Sequence, residues 1–299
     1  MSPESQAIVD VFGFARQRMM ENPNMSAREG RLFIESFGSL ASEPTEVTYE
    51  EVQCPGSTGP AIWCRPASAD PSHIILYLHG GAGTGGSPSS HRKLAGHLAK
   101  VASCVALLPD YRLVPEDPFP AGLEDCLATY KWVLDQGFKP SRIAVAGDSA
   151  GANLTAALLL KLKEQGLPFP GAAALLSPWL DMENLGESRQ FNFEHDALAG
   201  LATASTALYC QGTSPKNPFA NPLYGDFTGA PPLFVSAGGW DTLLSDALTL
   251  AEKAKAVGVD VTLQVAPEMQ HDYHFMVGRA PEATETVTEI GRWIAGKLQ

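Results

Sequence analysis

The sequence predicts an α/β fold: a mostly parallel eight-stranded sheet with helices on both faces and a helical cap. Three observations predict it. From about residue 46 strand-like and helix-like segments alternate, the order that winds a parallel sheet. Several of the strand-like segments are short continuous apolar runs, such as HIILYLHG at 73 to 80, as strands buried on both faces require. Finally, RIAVAGDSAGANL at 142 to 154 stops a strand at Gly147, presents Asp148 and Ser149, and resumes as a helix former at Ala150. Gly147-x-Ser149-x-Gly151 between strand and helix is what a tight turn needs to hold a serine oxygen clear of a sheet.

The elements follow in order. TEVTYEEVQC and AIWCRP flank the turn-rich PGSTGP and read as an antiparallel lead-in, followed by the strand HIILYLHG. Ser87 and Pro88 form an N-cap and first-turn pair for a helix through about Lys100, and SCVALLPDYR is the next strand. Residues 120 to 136 have apolar side chains at helical spacing; SRIAVAG is a strand, ANLTAALLLKLKEQ a helix stopped by Gly166, and GAAALLSPW a strand. PLFVSAG and VDVTLQVAP are the last two strands, with a helix ending at Gly258 between them, and TETVTEIGRWIAGKL closes the chain as a helix.

Two stretches break the alternation: residues 1 to 45, with helix-like RQRMMENPNMSAREGRLFIESF, and residues 183 to 218. Both carry exposed-looking aromatics, Phe12, Phe14, Phe191 and Phe193, and both are read as a cap over the carboxyl ends of the strands, where open sheets place ligands. With 299 residues and no polar linker, the chain reads as one elaborated domain. No apolar run reaches the roughly 18 residues of a membrane span. The opening MSPESQAIVD lacks the blocks of a secretory signal, and five cysteines without CxxC spacing read as reduced thiols of a cytoplasmic protein. A net charge of -12 argues against a nucleic-acid partner.

The run LYLHGGAGTGG admits two readings. Gly81-x-Gly83-x-x-Gly86 after a strand, with Asp110 ending the next one, spells a dinucleotide fingerprint. That reading fails because Ser87-Pro88 starts the helix after the last glycine, so its amino end does not face a pyrophosphate. A phosphate loop is excluded because no Lys-Ser or Lys-Thr follows. In the second reading Gly80 and Gly81 supply backbone N–H groups that converge on a developing oxyanion, with the amide of Ala150 as third donor, and His79 braces the loop.

An oxyanion hole needs a nucleophile, and Ser149 needs a base held by a third group. Of seven histidines, His73, His91, His97 and His195 have surface or packing explanations. His271 lies in the turn-like EMQHDYHF after the last strand, at the carboxyl edge of the sheet, with His274 as its local rival. Asp241 directly follows the strand PLFVSAGG, whereas Asp246 falls within the next helix and is expected to face solvent. The order Ser149, Asp241, His271 is nucleophile, acid, base.

These residues lie within longer motifs: HGGAG (79 to 83), DYRLVPEDPFPAGLEDC (110 to 126), GDSAGAN (147 to 153), SPWLDM (177 to 182), DTLLSDA (241 to 247) and the MQH ending at His271. Through them nearly the whole chain resembles the hormone-sensitive-lipase-like esterases, the bacterial family IV type. The resemblance implies an α/β-hydrolase fold with an N-terminal cap and hydrolysis of esters or lactones with no cofactor and no metal. Ala82 stands where the family loop usually has a third glycine, a change expected to shape the acyl pocket, and Trp240 places a large ring beside the acid. Ala82, Asp148, Trp240 and Phe191 are the candidate pocket residues. The expected substrate is a small, uncharged, short-acyl ester, with a dedicated lactone or acetate-ester hydrolase as the alternative and a homodimer as an analogy from relatives. A non-catalytic receptor on the same frame is a remote alternative, opposed by His271.

Overall fold

A computed structural model describes residues 1–22 and 25–298. Eight strands form one sheet: β1 (Val47–Val52), β2 (Ala61–Pro66), β3 (Asp70–Leu78), β4 (Cys104–Leu108), β5 (Ile143–Asp148), β6 (Ala172–Leu176), β7 (Leu233–Gly238) and β8 (Val261–Ala266). Their order is β1-β2-β4-β3-β5-β6-β7-β8. The β1–β2 and β2–β4 pairs are antiparallel and all later pairs parallel, so the lead-in hairpin sits at one edge and β5 near the middle.

Side-chain alternation along the central strands explains their continuous apolar runs. In β3, Ile75 and Tyr77 join a core with Leu94 and Leu98 of α3 (Pro88–Ala102) and Ile290 and Ile294 of α9 (Pro281–Lys297). Ile74, Leu76 and Leu78 face the opposite core, with Leu123 and Tyr130 of α4 (Ala121–Asp135) and Leu158 of α5 (Ser149–Glu164). Each such buried leucine or isoleucine contributes about 1.5–3 kcal/mol relative to exposure. A third cluster joins α5 to α8 (Leu244–Ala256) across β6 and β7. The predicted start of α3 is realised as a capping box between Ser87 and Ser90 with Pro88 in the first turn.

The two irregular stretches both contribute residues to the cavity that holds Ser149 and His271. The helix-like N-terminal segment forms α1 (Gln6–Glu21) and α2 (Ala27–Ser36), the latter started by a Ser26–Glu29 capping box; Pro23 and Asn24 lie outside the described residues. Arg31 ties α2 to the body through Thr84 O (2.7 Å) and Glu116. The second stretch contributes α6 (Ser188–Phe191) and α7 (Leu201–Tyr209). Phe12 is not exposed: at 1% exposure it packs on Phe37 at 4.6 Å between ring centres. Asp246 does not face solvent either. It is buried, paired with Arg189 of α6 at 2.8 Å, and accepts the amides of Leu180 and Asp181. The guanidinium arriving from the cap makes this burial tolerable, a partner that the helical position of Asp246 did not reveal. Among the described residues no helix is long and apolar enough to cross a membrane.

Candidate active site

β5 runs directly into α5, and the chain turns at Ser149 with φ of 48°. The left-handed backbone is unfavourable for serine and is held by the packing of the turn on β3. A Cβ on Gly151 would lie 1.9 Å from Leu78 O, and one on Gly147 2.5 Å from the Gly151 carbonyl. The two glycines therefore let the elbow sit against the neighbouring strand.

Ser149 Oγ lies 3.0 Å from Nε2 of His271, and His271 Nδ1 lies 3.0 Å from Oδ2 of Asp241. The three side chains come from the ends of β5, β8 and β7. Asp241 is fully buried, and its other oxygen accepts the amide of Leu243 at 2.7 Å. Its turn is held from the cap by Asn192, whose Nδ2 donates to the carbonyls of Gly239 (2.9 Å) and Asp241 (2.8 Å). Burial opposes a charge on His271, but the carboxylates of Asp272 and Asp241 outweigh it and hold the imidazole well above its ordinary 6.5. His274 is a different case. Its Nε2 meets Ser236 Oγ at 2.9 Å, and burial pulls its pKa down to about 3.

The glycine loop differs from the sequence reading in one donor. The amide of Gly80 lies 3.2 Å from His91 Nε2, and Gly80 is not among the residues lining the cavity that holds Ser149. The amides of Gly81 and Ala82 have no hydrogen-bond partner among the described residues, and both residues line the same cavity as Ser149. Ala82 adopts φ of 57°, so it keeps the left-handed turn that a glycine would make at less cost. Ala150 is the second residue of α5, and its amide has no acceptor within the helix. The unpaired amides near Ser149 are thus those of Gly81 and Ala82, which share its cavity, and of Ala150, which follows it in the chain.

His91, read from sequence as ordinary packing, lies beneath this loop. Its Nε2 is 3.2 Å from Asp148 Oδ2, and Tyr77 Oη donates to the other oxygen of Asp148 at 2.8 Å. His79 braces the loop: its ring stacks on Tyr111 with centres 4.2 Å apart, and Nδ1 is 2.9 Å from Gly80 O.

A cavity of about 490 Å³ opens above Ser149. Phe12, Ile34 and Phe37 from the N-terminal cap and Leu201 and Leu208 from α7 supply apolar wall, with Ala82 and Asp148 at its base. Two candidate pocket residues lie elsewhere. Trp240 stacks on His195 at 5.2 Å, away from the cavity, because Asp241 takes the inward position of that turn. Phe191 is 57% exposed, because the inward position at the end of α6 belongs to Asn192. Two acidic cavity residues were missed. Asp196 accepts from the amide (2.8 Å) and hydroxyl (2.6 Å) of Thr242, and burial together with the Asp241 carboxylate raises its pKa. Asp272 Oδ2 lies 3.2 Å from His271 Nε2. Adjacency to His271 was the only sequence signal for Asp272, and Asp196 had none. Among the described residues no group of acidic, histidine or cysteine side chains is arranged to hold a metal ion.

A family profile for the alpha/beta hydrolase fold matches residues 75–275. An acetyl-hydrolase of Streptomyces hygroscopicus is 39% identical over 262 residues, 87% of this chain and 85% of that protein. An esterase of Acinetobacter venetianus is 31% identical over 90% of this chain and 89% of its own length. Among solved structures, an esterase from the bacterial hormone-sensitive lipase family superposes with a TM-score of 0.93 at 38% identity, covering 100% of this chain and 99% of that one. EstE5, soaked with p-nitrophenyl butyrate, superposes with a TM-score of 0.90 at 34% identity over 100% and 99% of the two chains. With the fold, the elbow and this likeness along its whole length, the chain belongs to the alpha/beta hydrolases and, within them, to the bacterial hormone-sensitive-lipase-like esterases.

Proposed function

We infer that the protein is a carboxylic ester hydrolase that cleaves small, short-acyl esters through an acyl-enzyme on Ser149. The observation that carries this reading is the unbroken line from Ser149 through His271 to Asp241, with both contacts at 3.0 Å, beside unpaired loop amides under an apolar cavity. His271 Nε2 takes the Ser149 proton as Oγ bonds to the ester carbonyl carbon, and Asp241 holds the imidazole with Nδ1–H toward itself. The amides of Gly81, Ala82 and Ala150 receive the carbonyl oxygen as it becomes an oxyanion. The C–O bond to the alcohol then breaks, Nε2–H protonates the leaving oxygen, and an acyl-Ser149 ester remains. Water, deprotonated by the same nitrogen, attacks this ester and restores the serine with release of the acid.

The small-substrate reading is supported by the apolar wall of the cavity, to which Phe12 and Phe37 contribute. Its charged lining residues are aspartates and histidines with no lysine or arginine, which disfavours anionic esters. A preference for acetate esters is a second reading, favoured by the relative named an acetyl-hydrolase. Release of p-nitrophenol from acetate, butyrate, octanoate and palmitate esters tests both. Turnover should peak at a short chain and fall at least about 10⁴-fold in Ser149→Ala. Undiminished turnover in that variant would remove Ser149 from the mechanism, and a peak at palmitate would refute the size limit.

A further inference from the structure

We propose that Asp272 is a positioning carboxylate for the triad base: it receives the Nε2–H of His271 once the Ser149 proton has moved there, and so sets the pH range in which the enzyme turns over. The proposal rests on the triad reading above.

The geometry places two oxygens at one nitrogen. Nε2 of His271 is 3.0 Å from Ser149 Oγ and 3.2 Å from Asp272 Oδ2. A ring nitrogen offers one in-plane direction, as a lone pair or as an N–H. With the imidazole neutral and Nδ1–H given to Asp241, the Nε2 lone pair accepts from the serine hydroxyl, and an ionised Asp272 has nothing to offer it. With the proton on Nε2, the N–H faces both oxygens and the carboxylate accepts it. Asp272 therefore stabilises the imidazolium formed during reaction more than the resting imidazole, the differential interaction that lowers a barrier. The same preference makes His271 hold a proton from solvent to higher pH, which idles the base.

The carboxylate is fixed in that position. Asp272 is 6% exposed, its backbone is left-handed with φ of 49°, and its amide donates to Ser177 Oγ at 3.1 Å. Oδ1 is buried without a hydrogen-bond partner among the described residues. An aspartate retained only to brace its loop would have both oxygens satisfied, because a half-satisfied buried carboxylate is costly.

The remaining groups around the imidazole do not substitute for Asp272. Asp241 engages Nδ1, and Asp196 from the cap loop is bonded to Thr242 beside Asp241. Asp148 at the end of β5 is paired with His91 and Tyr77, and His274 on the following turn is kept neutral by burial. Burial raises the pKa of Asp272 itself to about 7 against the pull of His271, so the two groups titrate as a pair.

The test is the pH dependence of kcat/KM for p-nitrophenyl butyrate in wild type, Asp272→Asn and Asp272→Gly, with Ser149→Ala as the background. Asparagine and glycine both tolerate a left-handed backbone, so both variants should fold, and glycine should relieve strain. The acidic limb is expected to move down by about one pH unit or more in both variants, with kcat on the plateau falling about tenfold and KM little changed. Folded variants with an unmoved acidic limb would overturn the proposal, whatever happened to their stability. Retained turnover in Ser149→Ala would instead overturn the triad reading, and this inference with it.

Discussion

At the scale of single residues the site holds a second buried acid and imidazole, Asp148 and His91, under the glycine loop. Burial works against both charges, but each outweighs it for the other: His91 is raised above 6.5 and Asp148 lowered below 3.8. A raised histidine stabilises the fold below its unfolded pKa, and that contribution is lost as pH rises through the folded value; a lowered carboxylate stabilises above its unfolded pKa, and that contribution is lost as pH falls through the folded one. The pair should therefore contribute most between about pH 4 and 6.5, ahead of the raised histidine value. Urea unfolding of His91→Gln against wild type should show a larger stability difference at pH 5.5 than at pH 9; an equal difference would contradict the assignment. Gly147→Ala tests the elbow, since the added Cβ meets backbone 2.5 Å away. It should destabilise the fold by more than the roughly 1 kcal/mol of an ordinary substitution and lower kcat, as thermal melts and turnover would show. That Ser149, Asp241 and His271 meet was legible because each follows the end of a strand at the same sheet edge. The inward role of Ala82, the burial of His91 and the contact of Asp272 were not, since they depend on where the glycine loop crosses the elbow.

At the scale of elements, all eight strands and the body helices could be read, because apolar runs, Ser-Pro starts and glycine stops are local signals. The cap was recognisable only as a break in alternation, and its anchors were hidden. Arg189 of α6 crosses to Asp246 of α8, and Asn192 reaches the turn that carries Asp241. Removing one partner of a buried pair strands the other charge, so Asp246→Ala should cost about 3–5 kcal/mol. A calorimetric scan should show a clear drop in Tm for that variant. Because the cap holds the acid turn through Asn192, Asn192→Ala should lower kcat more than it lowers Tm. The reverse ranking would mean that Asn192 serves only packing.

At the scale of the whole molecule, the cysteine count led to reduced thiols, and Cys54, Cys64, Cys104, Cys126 and Cys210 are all free and buried. Burial raises the pKa of every one, which suppresses the reactive thiolate. Ellman's reagent should react slowly with native protein and with five equivalents after denaturation; rapid release of several equivalents from native protein would contradict the packing. The scatter of Ser149, Asp241 and His271 along the chain bears on how the protein reaches its working state. Ser149 arrives with β5, Asp241 after β7, and His271 only after β8, so no partial sheet holds all three. Contacts this distant in sequence close late and slowly. During refolding, tryptophan burial should be well advanced while hydrolysis is still absent, and recovered turnover would time the docking of the last strand and the loop beyond it.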